Sequence, residues 1–147
     1  MEDKFNEKVE DWIAQGWLRP CVQPAHGVIP FLVVVQFNKD MVRPVMDFRE
    51  LNKFVESFTG DSDVCGETMR KWRMMDGQPR VLDLRDAYLQ LHVKEELQRY
   101  QTVEYKGRYY ELTRLGFGLN CAPKIMTAVL GKVLSLDPRL TRLPTNT

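Results

Sequence analysis

Two short apolar segments with turn residues between them constrain the fold most strongly. Val28–Val35 is apolar and rich in β-branched residues, with Pro30 inside it, and Val42–Phe48 alternates between apolar and polar residues. The run Asn38-Lys39-Asp40 lies between them and carries residues that favour a turn. This pattern predicts an antiparallel β-hairpin, with a buried first strand and with Arg43 on the second strand. Prolines in both segments favour sheet edges or bulges.

Helical and strand patterns alternate along the rest of the chain. Apolar residues at Phe5, Val9, Trp12 and Ile13 follow helical spacing, and Gly16 is suited to end that helix. These and the remaining patterns together predict an α+β fold. The remaining predicted elements are a helix capped by Ser62 or Asp63 and reaching about Met75, a strand over Val81–Leu84, a hairpin of Tyr100–Tyr105 and Arg108–Leu112 around Lys106-Gly107, and a helix opening at Ala122-Pro123.

Composition excludes several classes of protein. The 147 residues include three cysteines and two histidines, and no two cysteines form a CxxC pair, so a disulfide framework or a zinc site is not expected. No apolar run approaches the roughly 18 residues of a spanning helix, and Met1–Asp11 is too acidic for a signal peptide. We therefore expect an intracellular chain, cytoplasmic or nuclear, with no membrane partner.

Charge gives little indication of a partner. The net charge is +1, with an acidic segment over residues 1–11 and a basic cluster at Arg70, Lys71 and Arg73. The cluster is either a solvated helix face or part of a surface for a polyanion.

Three features could carry chemistry. Asp83 interrupts an apolar segment and Asp86 follows three residues later, so the two carboxylates either hold a hard cation such as Mg²⁺ or lie at the surface. Arg43 either binds phosphate through its guanidinium fork or is a solvated strand residue. The segment Gly116-Phe117-Gly118 is either a ligand-contacting loop with a stacking ring or an ordinary turn.

Taken in order, these segments resemble the reverse transcriptases of retroviruses and long-terminal-repeat retrotransposons, most closely those of Gypsy-like elements. The resemblance runs from about Ile13 to about Val133. The matching segments are RPVMDFRELNK (43–53), VLDLRDAY (81–88), YQTV (100–103), YYEL (109–112) and LGFGLNCAP (115–123), of which the first two are fairly specific.

The resemblance implies a partial right-hand polymerase fold. Residues 1–57 and 93–119 would form the fingers, 58–92 and 120–140 a partial palm, and 141–147 a tail. The family reaction adds deoxynucleotides to a primer on an RNA or DNA template by two-metal phosphoryl transfer, so the implied class is an RNA-directed DNA polymerase encoded within a Pol polyprotein. The implied cofactor of the complete enzyme is Mg²⁺ or Mn²⁺.

The same resemblance assigns roles to individual residues. It implies that Asp83 is a catalytic metal ligand, assisted by the backbone carbonyl of Leu84. It implies template-positioning roles for Asp47 and Arg49. Tyr88 would act as a steric gate against a ribose 2′-hydroxyl. The residues it implies for nucleotide binding are Arg43, Lys39, Asp86, Ala87, Tyr88, Phe117 and Gly118.

The sequence departs from the family pattern in four places. Lys39 is the one lysine in the turn before Arg43, Gly116 replaces a usual proline, and Cys121 replaces Asn or Gly. The fourth departure is the largest, because the 147 residues contain no Tyr-x-Asp-Asp motif, the family's third motif, and no thumb. We therefore expect weak or absent metal binding and no polymerisation by this chain alone.

Two functional hypotheses stay open. The chain is either a piece of an active polymerase or a non-catalytic retroelement remnant that binds nucleic acid or protein. Without the third-motif hairpin, the Val81–Leu84 strand would leave an unpaired palm edge with exposed Leu82 and Leu84. We therefore expect marginal stability or self-association through that edge.

Overall fold

The computed structural model describes residues 2–36, 41–57, 66–77 and 82–139. They fall into two compact units, one made of Met1–Ser57 and Asp86–Ala122 and the other of Phe58–Arg85 and Pro123–Thr147. We describe each unit by itself. The assignment of fingers and palm to these residues stays a prediction.

The first unit contains the described strands and most of the short helices. Its elements run in the order α1 (Glu2–Ala14), β1 (Leu18–Cys21), β2 (Phe31–Gln36), β3 (Met41–Met46), α2 (Arg49–Asn52), a 3₁₀ helix (Ala87–Gln90), α4 (Glu95–Gln98), β4 (Thr102–Tyr105) and β5 (Arg108–Leu112). The second unit contains α3 (Gly66–Met74), and α5 (Ala122–Ser135) runs into it from Ala122.

The strands form two antiparallel sheets. One has the order β1-β5-β4, and the other is the two-stranded hairpin of β2 and β3. In the first sheet, Lys106 and Gly107 both have positive φ angles, +49° and +73°, in the two-residue turn between β4 and β5, as a tight hairpin turn requires. Both predicted hairpins and the α+β class are thus confirmed.

The hydrophobic core lies in the first unit. Val9 of α1 is fully buried, and it packs with Leu18 and Leu112, which are adjacent across β1 and β5. Phe5 of α1 meets Phe31 edge-on, with ring centroids 5.7 Å apart. The helical stripe predicted for α1 therefore faces the core, and Gly16 ends the helix region with a φ of +72°.

Strand β1 was not predicted, because Pro20 lies within it. Residue Thr113 donates its backbone N–H to the carbonyl of Trp17, which fixes the alternation of hydrogen-bonded pairs along β1 and β5. By that alternation Pro20, opposite Tyr110, lies in a pair that exchanges no backbone hydrogen bonds. A proline is tolerated there because β1 is an edge strand.

Two predictions about strands are wrong. Leu82, Asp83 and Leu84 form no strand and are exposed, and Val81 lies outside the described residues. Strand β2 is not buried, since Leu32, Val33 and Val34 are each between 42% and 48% exposed. It belongs to a two-stranded sheet, and no other described strand pairs with its second long edge.

The second unit has no buried residue among those described. Helix α3 ends at Met74, close to the predicted end, while its predicted caps Ser62 and Asp63 lie outside the described residues. The exposure predicted for Leu82 and Leu84 is confirmed at 86% and 51%, but no strand edge causes it. The other exposed apolar residues of the second unit include Met69, Trp72, Met74, Met75, Ile125, Val133, Leu134 and Leu136.

Candidate functional site

Two aromatic residues singled out from the sequence lie together in the first unit. The ring centroids of Tyr88 and Phe117 are 5.6 Å apart with a 53° angle between the planes. Tyr88 is half-buried on the 3₁₀ helix, whereas Phe117 is 67% exposed. We call these two rings the aromatic pair. Exposed aromatic faces of this kind can support a sugar or a base.

The backbone before Tyr88 is shaped by Asp86. Asp86 has φ 48° and ψ 42°, a left-handed conformation, and it directly precedes the 3₁₀ helix that begins at Ala87. Aspartate tolerates this conformation better than most residues. The strained turn therefore fixes how Tyr88 is presented.

The loop that carries Phe117 is held in place by the buried side chain of Gln101. Gly116 donates its backbone N–H to Gln101 Oε1 over 3.0 Å, and Gln101 is only 3% exposed. The Gln101 side chain also donates to the carbonyls of Leu112 and Arg114 over 3.1 and 2.8 Å. A buried amide satisfied in this way holds the loop against β5.

Gly116 also lies directly against Phe48. A Cβ atom at residue 116 would be 2.3 Å from Phe48 Cζ, a distance at which Phe48 would have to move. Phe48 is 2% exposed and belongs to the core. A side chain at residue 116, proline included, would therefore meet the Phe48 ring.

Asn52 supports the loop from the other side, a role that the sequence reasoning missed. Its Nδ2 donates to the Gly118 carbonyl over 2.9 Å, and its Oδ1 accepts the backbone N–H of Asn120 over 2.8 Å. In turn, Asn120 Nδ2 donates a hydrogen bond to the Asn52 backbone carbonyl over 3.3 Å. Gly118 has a φ of +104°, which favours glycine. The available signal was that Asn52, the second-last residue of the RPVMDFRELNK segment, had no assigned role.

Arg43 lies on the exposed face of the β2–β3 hairpin. Along β3 the residues Val42, Pro44 and Met46 are buried, so Met41, Arg43 and Val45 share the opposite face. Arg43 is paired across the hairpin with Val34. In the described part of the chain, its guanidinium has no hydrogen bond or ion pair, so it is available to an anion.

Asp47 and Arg49 bind each other. The Asp47 carboxylate accepts the backbone N–H of Arg49 over 3.1 Å and its Nε over 2.8 Å. These bonds to Arg49 lower the pKa of Asp47 to about 2, since they favour the charged carboxylate. The Asp47 side chain is 13% exposed and that of Arg49 is 82% exposed. The exposed Arg49 side chain is thus held in position by the largely buried Asp47 carboxylate. The template-positioning role of both residues stays a prediction.

The residues predicted to hold a metal ion belong to the second unit. Asp83 and Leu84 lie on an exposed segment without regular structure. Over the described ranges, no group of three His, Cys, Asp or Glu side chains could hold a metal ion. Asp83 and the Leu84 carbonyl supply only two of the several oxygen ligands that a magnesium site takes. Lys39 lies outside the described residues.

Among the residues that the structure describes, none of the helices has both the length and the apolar character needed to traverse a bilayer.

Comparison with known proteins supports the family resemblance. No family model matches the chain. The chain is 30% identical over 128 residues to the Gag-Pol polyprotein of Feline leukemia virus, and the match covers 79% of this chain and 7% of that polyprotein. The chain thus spans a small part of the curated relative that it matches.

Solved structures show the same fold. The native crystal structure of the prototype foamy virus protease-reverse transcriptase matches with a TM-score of 0.60 at 18% identity, over 93% of this chain and 18% of that one. The foamy viral protease-reverse transcriptase in complex with dsDNA matches with a TM-score of 0.69 at 20% identity, over 90% of this chain and 27% of that one. In sequence and in fold, the chain is therefore similar to a reverse-transcriptase region of a retroviral Pol protein.

Proposed function

We propose that this chain is the nucleotide-contacting part of an RNA-directed DNA polymerase. The observation that carries the proposal is the aromatic pair, because Tyr88 and Phe117 come from segments 29 residues apart in sequence and meet at 5.6 Å. Both lie in segments that resemble the family. The proposed substrates of the complete enzyme are deoxynucleoside triphosphates and an RNA or DNA primer–template.

Each side chain has a proposed task. The Tyr88 ring, held by the left-handed turn at Asp86, excludes a ribose 2′-hydroxyl by its bulk. Phe117 and Gly118 lie against the sugar and base, and the Asn52 hydrogen bonds keep that loop in place. Arg43, which has no partner in the described part of the chain, binds the triphosphate as a planar fork.

We propose that the chain alone binds nucleic acid without polymerising. The observation that favours binding over catalysis is the set of metal donors, because no group of three His, Cys, Asp or Glu side chains within the described residues could hold a metal ion. A non-catalytic retroelement remnant would have the same property. The foamy viral relative in complex with dsDNA supports a nucleic-acid partner for this fold.

Binding of a labelled primer–template tests the proposal, with fluorescence anisotropy read at several salt concentrations. We expect affinity to fall steeply as salt rises, since phosphate contacts release counterions. Arg43→Ala should weaken binding of a deoxynucleoside triphosphate by about tenfold or more, the cost of a charged hydrogen bond.

Arg108→Ala is the matched control, because it removes one positive charge from an exposed strand residue of the other sheet. Equal losses in the two variants would mean that Arg43 acts only through net charge. Binding that is insensitive to salt would contradict a phosphate-contacting surface.

We propose that Mg²⁺ binding by this chain is weak. Calorimetric titration with Mn²⁺, a stand-in with similar oxygen ligands, should give the same heats for the parent chain and for Asp83→Asn. Saturable binding at micromolar Mn²⁺ that disappears in Asp83→Asn would overturn this expectation.

A further inference from the structure

Strand β2 has an edge that no described strand covers. Asp47 donates its backbone N–H to the Pro30 carbonyl over 2.9 Å, in the same register as the β2–β3 pairs. Hydrogen-bonded pairs alternate along an antiparallel ladder. Even-numbered residues of β2 therefore bond to β3, and the backbone groups of Phe31, Val33 and Val35 point away from it.

These outward backbone groups have no partner among the described residues. The adjoining residue Ile29 does have one, because its N–H bonds to the Thr102 carbonyl over 2.6 Å. The open stretch therefore begins at Phe31. Val33, at its centre, is 48% exposed.

The opposite edge of the hairpin, on β3, is poorly suited to pairing with another strand because of a proline. By the same alternation, Pro44 of β3 points its nitrogen outward, and it has no N–H to donate. The β3 edge therefore lacks the donor that a new strand needs at its centre. The β2 edge carries no proline and no charge, since its sequence is FLVVVQ, and strands of this composition are prone to pair with other chains.

We propose that a second copy of this chain adds to the β2 edge, giving a continuous four-stranded sheet across a two-fold axis. With Val33 opposite Val33 of the second copy, Phe31 lies opposite Val35 and Val35 opposite Phe31. Every outward-pointing residue then meets another outward-pointing residue, and each such pair exchanges two backbone hydrogen bonds. An uncharged, self-complementary strand favours its own copy over a charged peptide.

This interface differs from the palm edge expected from the sequence, and it does not depend on the proposed function. Arg43 lies on β3, one strand away from the new contact. The two guanidinium groups are therefore not brought together by the pairing. The exposed apolar residues Leu32 and Val34 would lie on one face of the extended sheet.

Sedimentation of the full 147-residue chain over a range of concentrations tests the pairing. We expect a reversible dimer that Val33→Pro weakens by about tenfold or more, because the proline removes the central outward N–H from both copies. Proline is tolerated at this kind of edge residue. Val33→Thr is the matched control, since it keeps the N–H and the β-branched shape, and it should still dimerise.

Cross-linking gives a second readout that does not depend on affinity. The register puts the two Val33 Cα atoms about 5.5 Å apart, within disulfide range. Val33→Cys should therefore form a covalent dimer on mild oxidation, in excess of any cross-linking by the native cysteines of the parent chain. Leu32→Cys should not, because Leu32 lies opposite Val34 of the second copy.

Three outcomes would overturn the proposal. They are a chain that stays monomeric at all concentrations, a dimer that Val33→Pro leaves unchanged, and equal cross-linking by the two cysteine variants. If Leu82→Asp abolished the dimer while Val33→Pro did not, association would occur through the second unit instead.

Discussion

No side chain fits at Gly116. The Phe48 ring occupies the space next to its Cα, and a Cβ there would also lie 2.7 Å from Gln101 Oε1. The backbone N–H of Gly116 is also used, as a donor to Gln101. Residue 116 is thus constrained by volume and by a hydrogen bond, and a proline there would lack the N–H and would meet the Phe48 ring.

We predict that Gly116→Ala lowers the free energy of unfolding by about 1–3 kcal/mol, the usual cost of overpacking a core. Gly131→Ala is the matched control, since nothing lies within 4 Å of its Cβ and it is inside α5. That control should be neutral or slightly stabilising. Urea denaturation measures both, and equal effects of the two substitutions would contradict the packing of Phe48 against Gly116.

Asp47 gives a pH prediction. Its pKa is about 2 in the folded chain against an ordinary value of 3.8, and a depressed pKa stabilises the fold above the unfolded value. That stabilisation is lost as the pH falls from about 4 through 2. An NMR titration of the Asp47 carboxyl carbon should show the low pKa, and Arg49→Ala should raise it. A midpoint near 3.8 in the parent chain would contradict the ion pair.

At the scale of elements, side-chain hydrogen bonds join segments that are distant in sequence. Asn52 at the end of α2 connects to Gly118 and Asn120, 66 and 68 residues away. Lys106 in the β4–β5 turn pairs with Glu10 of α1 over 2.7 Å, which raises the pKa of Lys106 and lowers that of Glu10. The first unit is therefore held by contacts between its two chain segments.

We predict that Asn52→Ala destabilises the first unit by about 1–3 kcal/mol, because it leaves the N–H of Asn120 and the carbonyl of Gly118 without their partner. Asn52→Asp should also destabilise the unit, since it keeps the acceptor for Asn120 but places a carboxylate oxygen against the Gly118 carbonyl. Amide exchange at Asn120 measures the loop directly. Unchanged exchange in Asn52→Ala would show that Asn52 does not hold the loop.

The sequence predicted elements whose signals are local. The stripe of Phe5, Val9 and Trp12 identified α1, and Lys106-Gly107 identified the β4–β5 hairpin. Strand β1 was missed because its four residues include a proline, and only pairing with β5 makes them a strand. The failed strand at Leu82–Leu84 has the right residue types, but propensity alone does not form a strand without a paired neighbour.

Only part of the candidate site was predicted from the sequence, because only some of its residues belong to recognisable local segments. Tyr88, Phe117 and Gly118 were identified through resemblance, and the structure brings Tyr88 and Phe117 together. Asn52 and Gln101 were not identified, since a polar residue that bonds to a loop 15 or 66 residues away leaves no local pattern. Their contribution is visible only from the hydrogen bonds.

At the scale of the whole molecule, the core is concentrated in one unit. The described residues of Phe58–Arg85 and Pro123–Thr147 include none that is buried, so little apolar burial stabilises α3 or the later turns of α5. Short helices without packing are marginal in water.

We predict that amides of α3 exchange at least about a hundredfold faster than those of β4 and β5, because local opening needs no core disruption. Hydrogen exchange with mass or NMR detection gives both rates in one sample. Equal protection in α3 and β5 would show that the second unit has a core of its own.

Primer extension tests the chain as a catalyst. We expect no extension with Mg²⁺ or Mn²⁺, because no group of three His, Cys, Asp or Glu side chains among the described residues could hold a metal ion. Extension that Asp83→Asn abolishes would contradict this, whereas extension that survives Asp83→Asn would indicate a contaminating polymerase and call for repurification.

The most direct test of the proposed nucleotide-contacting surface is an NMR titration of the isotope-labelled chain with a deoxynucleoside triphosphate. The proposal predicts saturable shifts at Tyr88, Phe117, Gly118 and Arg43, and weaker shifts with the matching ribonucleotide. Shifts confined to the basic residues of α3, or none at these four residues while the β4 and β5 amides stay protected, would contradict it.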